Sequence, residues 1–291
     1  MENQDFLKVN EVRLLKSGLG WTTCSDEQWS CAVDAMTNRL DGFGEPGTRF
    51  LLAFGRNSLL DLLVREAAQS LGLVPVTMNW QADTPEIFQY KFQKTGARFV
   101  ILHESCPEPI RELVEQDSFG GEILLVTEDM LQERPSEHVQ RDVSTSNTAL
   151  TLFTSGTTGV PKGVELSVQA YESNLDIFQS FLNLEPNEPL RVVLVNPLHH
   201  ANSSSMSSWV LKRSGAELCL CSHYGTDYWN ALAQIAEGFS GRIIAPLVAR
   251  HFEYLENLLQ DGRLELSPEH RDALARTEFL VGSAPVGPQT V

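Results

Sequence analysis

The 291-residue sequence is poor in positive charge, with 22 Lys and Arg against 38 Asp and Glu and a formal net charge of −16. Binding to a phosphate backbone depends on Lys and Arg releasing counterions, so a nucleic-acid partner is not expected. A net charge is a global sum, however, and a few backbone N–H groups with one lysine can still hold a nucleotide. Cysteine is scarce too. Cys24, Cys31, Cys106, Cys219 and Cys221 are odd in number and include no CxxC pair, which argues against a disulfide framework or a zinc site and favours a reducing, cytoplasmic setting. No apolar run reaches eighteen residues, and the opening MENQDFLKVNEVRLLKSG has no apolar core of signal-peptide length, so neither a membrane span nor an export signal is expected. There is no GxSxG elbow, which removes the commonest serine-hydrolase reading. Internal repeats and low-complexity tracts are absent as well.

What is present is a chain 42% hydrophobic, enough for one large or two modest cores. Short apolar runs at 49–54, 74–78, 98–102, 122–127, 149–153, 191–196, 217–221, 242–245 and 278–281 read as buried strands. Helical patterns separate most of them. Ser25 opens a capping box ahead of Trp29, Ala32, Val33, Met36 and Leu40 at helical spacing. Ser58 precedes an apolar stripe of Leu59, Leu62, Leu63, Ala67 and Leu71 that Gly72 closes, and Thr84 with Pro85 starts a helix running to Gly96. Residues 128–147 hold little to bury and read as a surface loop. Strands alternating with helices imply βαβ units with right-handed crossovers. The expected fold is α/β: two linked, doubly wound, mostly parallel sheets with flanking helices. A break near LEPNEP separates a first subdomain over 1–184 from a second over 185–291.

The most specific segment is TSGTTGVPKG over 154–163, with three glycines and four hydroxyls in ten residues. Glycine permits positive φ and close approach of N–H groups, hydroxyls add donors, and Lys162 supplies a charge, so the loop can wrap a polyphosphate. An ordinary Gly/Ser-rich turn is the plainer alternative. A Walker A loop is excluded because Lys162 sits between Pro161 and Gly163. The segment resembles the signature loop of the adenylate-forming superfamily, which includes acyl-CoA synthetases, aryl-CoA ligases, luciferases and peptide-synthetase adenylation domains. The resemblance implies that Thr154, Ser155, Thr157, Thr158 and Lys162 contact the β- and γ-phosphates of ATP, with Gly156 and Gly159 shaping the loop. Val168 stands where many members carry histidine.

Two weaker segments follow in the family's order. NPLHHANS over 196–203 resembles its second core motif, which implies His200 beside the acyl pocket as the catalytic candidate, with Ser203 replacing a smaller residue. A histidine pair by itself is as often structural. An acyl-transfer reading wants aspartate five positions after His199, and that position is Ser204. FLVGSAPV over 279–286 resembles the adenine-binding turn, implying Gly282, Ser283, Ala284 and Pro285 against the base. Gly42, Gly44 and Gly47 satisfy GxGxxG but precede a strand and read as a turn. Cys219 and Cys221 read as core.

The resemblance implies an AMP-forming ligase using ATP and Mg²⁺ to convert a carboxylic acid to an acyl-adenylate, then passing it to coenzyme A or a carrier-protein thiol. The family's later motifs do not occur before Val291. The chain is therefore expected to be the front portion of such an enzyme, with little activity by itself. The alternatives are a catalytically dead nucleotide-binding or interaction protein that keeps the front of the fold, and a phosphotransferase that releases ADP.

Overall fold

Two short strands, β1 (Glu11–Lys16) and β2 (Gly20–Ser25), begin a computed structural model that describes residues 11–16, 20–135, 139–154, 160–185 and 187–282. The chain continues through α1 (Asp26–Asp41), β3 (Arg49–Ala53), α2 (Leu59–Leu71), β4 (Val74–Thr77), α3 (Pro85–Thr95), β5 (Phe99–His103), α4 (Glu108–Val114) and β6 (Glu122–Val126). Next come β7 (Thr148–Thr154), β8 (Lys162–Ser167), α5 (Val168–Phe181), β9 (Leu190–Leu194), α6 (Ala201–Lys212) and β10 (Ala216–Cys221). The last described elements are α7 (Tyr228–Ala236), β11 (Arg242–Leu247), α8 (Ala249–Gln260), α9 (Pro268–Ala275) and β12 (Thr277–Val281).

The strands form two six-stranded sheets, ordered β12-β11-β9-β10-β1-β2 and β6-β5-β3-β4-β7-β8. Each is parallel throughout except for one antiparallel pair at an edge, β1 with β2 and β7 with β8. Parallel strands covered on both faces are buried, which explains the continuous apolar runs of β3 and β5, where burial interrupts only at Arg49.

The chain divides into two compact units, one taking the described parts of 1–26, 182–197 and 206–291 and the other 27–181 with 198–205. The sequence pattern suggests a single cut near residue 184. Instead β1 pairs in parallel with β10, from Glu11 opposite Glu217 to Leu15 opposite Cys221, so the front strands belong with the later half of the chain.

In the unit built on β3 to β8, backbone chemistry sets the helix ends. Ser58 accepts a hydrogen bond from the Leu60 N–H at 3.1 Å and Gly72 takes φ 69°, closing α2 at both ends. Thr84 caps α3 in the same way, Pro85 fills its first position, and Gly96 closes it at φ 64°. Phe88 of α3 and Ile110 of α4 pack over Leu51, Val76 and Val100. In the other unit Trp229, Leu232 and Ile235 of α7 pack on Val193, Cys219, Cys221 and Ile243, so both cysteines are core residues. Each such fully buried side chain contributes roughly 1.5–3 kcal/mol.

The stretch expected to be a plain surface loop is more ordered than its composition suggests. A 3-10 helix at Glu128–Gln132 buries Leu131, and Arg141 is held by Asp41 Oδ1 at 2.7 Å and the Gly44 carbonyl at 2.8 Å. Among the described residues no helix is long and apolar enough to cross a membrane.

Candidate functional site

The apolar strand β7 turns back as β8, and the two register antiparallel to their ends, with Phe153 opposite Gly163 and Thr154 opposite Lys162. Paired residues of an antiparallel ladder sit roughly 4.5–5.5 Å apart at Cα, so the two ends of the signature segment are held side by side. Ser155, Gly156, Thr157, Thr158 and Gly159 lie outside the described residues. Thr154 and Lys162 are both exposed, and no described residue gives the Lys162 ammonium an ion pair or hydrogen bond. An uncompensated cation beside a hydroxyl suits a polyphosphate.

Helix α3 supports both ends of this turn. The Tyr90 hydroxyl donates to the Pro161 carbonyl at 3.4 Å, and the Lys91 ammonium lies 4.9 Å from the centre of the Phe153 ring. Lys91 is itself buried and paired with Asp83 at 2.5 Å. Desolvation lowers its pKa, and the Asp83 carboxylate works in the opposite direction.

The second motif is placed by distant partners. The Leu198 N–H donates to Asn57 Oδ1 at 2.9 Å, just ahead of α2, and α6 starts at Ala201, so His199 and His200 form the turn that enters that helix. Their rings are 4.4 Å apart, yet His200 is exposed while His199 is buried. His199 meets the Trp80 ring edge-on at 5.8 Å, and neither of its ring nitrogens has a hydrogen-bond partner among the described residues. It lines a cavity of about 10 Å³ with Asp61, Arg65, Thr77 and Trp80, space for about one water. Burial, aided by the nearby His200, Lys91 and Arg65, pushes the His199 pKa down to about 3, so this ring is neutral and His200 is the ring open to solvent. The sequence pattern points to His200 and misses His199 and its cavity. No local signal marks them, because Arg65 and Trp80 reach His199 only through the fold.

In the other unit Gly282 follows β12, and its N–H donates to the Leu247 carbonyl at 3.2 Å. Ser283, Ala284 and Pro285 lie outside the described residues. The sequence profile of the AMP-binding enzyme family matches residues 16–291. This chain belongs to the AMP-binding enzyme family.

The AMP-binding chain is 27% identical over 207 residues to the mitochondrial medium-chain acyl-CoA ligase of Macaca fascicularis, a match covering 58% of this chain and 33% of that one. Among solved structures, it resembles a long-chain-fatty-acid-CoA ligase from Archaeoglobus fulgidus with a TM-score of 0.80 at 16% identity, covering 97% of this chain and 56% of that one. It also resembles the O-succinylbenzoate coenzyme A synthetase of Bacillus subtilis, solved in complex with ATP and magnesium, with a TM-score of 0.74 at 16% identity, covering 99% and 54%. The chain thus spans between a third and somewhat over half of these proteins.

One further cluster in the AMP-binding fold attracts notice. His103, Glu104 and Glu128 bring three potential metal-ligand atoms within 4.8 Å. The Ser105 N–H donates to His103 Nδ1 at 3.1 Å, so the ring proton sits on Nε2, which faces Glu128 at 3.9 Å. In that tautomer the one ring lone pair, on Nδ1, is already taken by the Ser105 N–H, and Glu104 is paired with Arg56 at 2.9 Å.

Proposed function

We propose that this chain supplies the nucleotide-holding part of an AMP-forming ligase that activates a carboxylic acid with ATP. The observation that carries the reading is the β7–β8 hairpin, which pairs Thr154 with the exposed Lys162, an ammonium with no ion pair among the described residues, at the two ends of a segment of signature composition. Family membership supports it, and so do the acyl-CoA ligases among the relatives.

In this reading a carboxylate oxygen attacks the α-phosphorus of ATP, the bond to the bridging oxygen breaks, and pyrophosphate leaves. A thiol, from coenzyme A or a carrier protein, then attacks the acyl carbon and AMP departs. The protein's work is positioning and charge stabilisation. Thr154, Ser155, Gly156, Thr157, Thr158, Gly159 and Lys162 hold the β- and γ-phosphates. Gly282, Ser283, Ala284 and Pro285 lie against adenine. His200 stands beside the acyl group. Magnesium, when bound with the nucleotide, neutralises phosphate charge. The reading gives it no ligand from this chain. A cytoplasmic setting agrees with five cysteines that form no disulfide among the described residues.

The test is acid-dependent exchange of labelled pyrophosphate into ATP by the protein that carries this chain. Exchange that requires a carboxylic acid and falls with Lys162→Ala supports the reading. Release of ADP in place of pyrophosphate contradicts it.

A further inference from the structure

The geometry points to Arg65 as a positioning residue for His200, acting through Ser204 to fix where the exposed imidazole stands at the head of α6. The catalytic meaning of this rests on the proposed role of His200. The positioning rests on geometry alone.

Asp61 and Arg65 lie one turn apart on α2, and both are largely buried. Arg65 Nε donates to Asp61 Oδ1 at 2.6 Å and Nη2 to Oδ2 at 3.1 Å, a two-point contact that fixes the guanidinium plane. The remaining nitrogen, Nη1, is thereby aimed outward, and it donates to Ser204 Oγ at 2.8 Å. Ser204 sits one helical turn beyond His200, and its N–H donates to the His200 carbonyl at 3.0 Å.

Tyr171 of α5 completes the arrangement. Its hydroxyl donates to the Ser204 carbonyl at 2.5 Å and shares a 2.9 Å bond with Ser204 Oγ. Because a guanidinium only donates, Ser204 Oγ accepts from Arg65, and either hydroxyl can donate across the Tyr171 contact. On the other side of His200, Leu198 is tied to Asn57. The histidine is therefore bracketed, with the residue two before it held by Asn57 and the residue four after it held by Arg65 and Tyr171.

A buried ion pair is a poor source of net stability, since well-packed apolar residues of the same size often do as well. What such residues cannot do is aim a donor. The Asp61–Arg65 pair aims one at the turn of α6 that carries His200, at the cost of burying two charges.

The test uses the 291-residue chain, with the His200 ring resonances and the exchange rate of the Ser204 amide read by NMR. Ser204→Ala removes the shared acceptor while leaving Asp61 and Arg65 paired. Arg65→Met removes the donor, and Arg65→Lys keeps a donor and the charge. The expected result is that Ser204→Ala and Arg65→Met shift the His200 ring signals and speed Ser204 amide exchange roughly fivefold. Arg65→Lys restores part of both, and the His251 ring signals of the other unit stay in place. If Arg65→Met does not fold, Ser204→Ala decides alone. Wild-type His200 signals and wild-type Ser204 exchange in Ser204→Ala overturn the inference. Separately, acid-dependent pyrophosphate exchange that is unchanged in His200→Ala rejects the catalytic role of His200, while the ring shifts and amide exchange still decide whether Arg65 positions it.

Discussion

Phe153 and Gly163 are registered partners across the β7–β8 hairpin, and a Cβ placed on the glycine would stand 3.3 Å from Cζ of the phenyl ring. The glycine thus lets the ring lie over β8 next to the residue that carries the exposed ammonium. Gly163→Ala forces the ring to give by a few tenths of an ångström and is expected to cost about 1 kcal/mol of stability. Urea unfolding measures that. ATP binding should weaken in the same variant, because the ring that moves is registered next to the Thr154–Lys162 pair.

The Asp83–Lys91 pair is almost fully enclosed, with side-chain exposures of 5% and 2%. Removing one member leaves the other charge buried and alone. Lys91→Met is expected to destabilise the chain by about 3–5 kcal/mol, and adding Asp83→Leu should recover much of the loss. A double-mutant cycle in urea checks both.

Acid should weaken the chain through His199. Its pKa is about 3 in the folded protein, against an ordinary value of 6.5 that the unfolded chain retains. Between those values the unfolded chain binds more protons than the folded one, so stability is complete above about pH 6.5 and falls as pH drops toward 3. At pH 4.5 the loss due to this ring is about 2–3 kcal/mol. His199→Phe keeps an aromatic edge for Trp80 and cannot be protonated. Urea midpoints at pH 7 and pH 4.5 should separate more for the wild type than for this variant.

The parts of the fold that were legible in the sequence are those whose signals are local. Ser58 with Gly72 and Thr84 with Gly96 bracket α2 and α3 because a cap is a contact within one turn. The runs that became β3, β5, β9 and β10 were visible because central parallel strands are buried on both faces. Strand β8 was not. KGVELS forms an edge strand with its first four residues exposed, so nothing required it to be apolar. Strands β1 and β2, EVRLLK and GWTTCS, lie at the margin of their sheet with the same mixed character, and the partner that recruits β1 is β10, some two hundred residues on.

The site divides along the same line. Thr154, Lys162 and His200 are proposed from motifs, which are a local property. The bonds on either side of His200 leave no mark in the sequence, because Leu198–Asn57 spans 141 residues and Arg65–Ser204 spans 139. His199 carries no mark of its burial in the sequence, since an adjacent and chemically identical ring is exposed.

The central claim is that the turn closed by Thr154 and Lys162 holds a triphosphate. Titration calorimetry of the 291-residue chain with magnesium-ATP, for the wild type and Lys162→Ala, tests it most directly. The expected result is weak, saturable binding that Lys162→Ala reduces at least about tenfold, the loss of one charge-assisted contact to phosphate. Absence of binding, or binding that Lys162→Ala leaves unchanged, contradicts the claim.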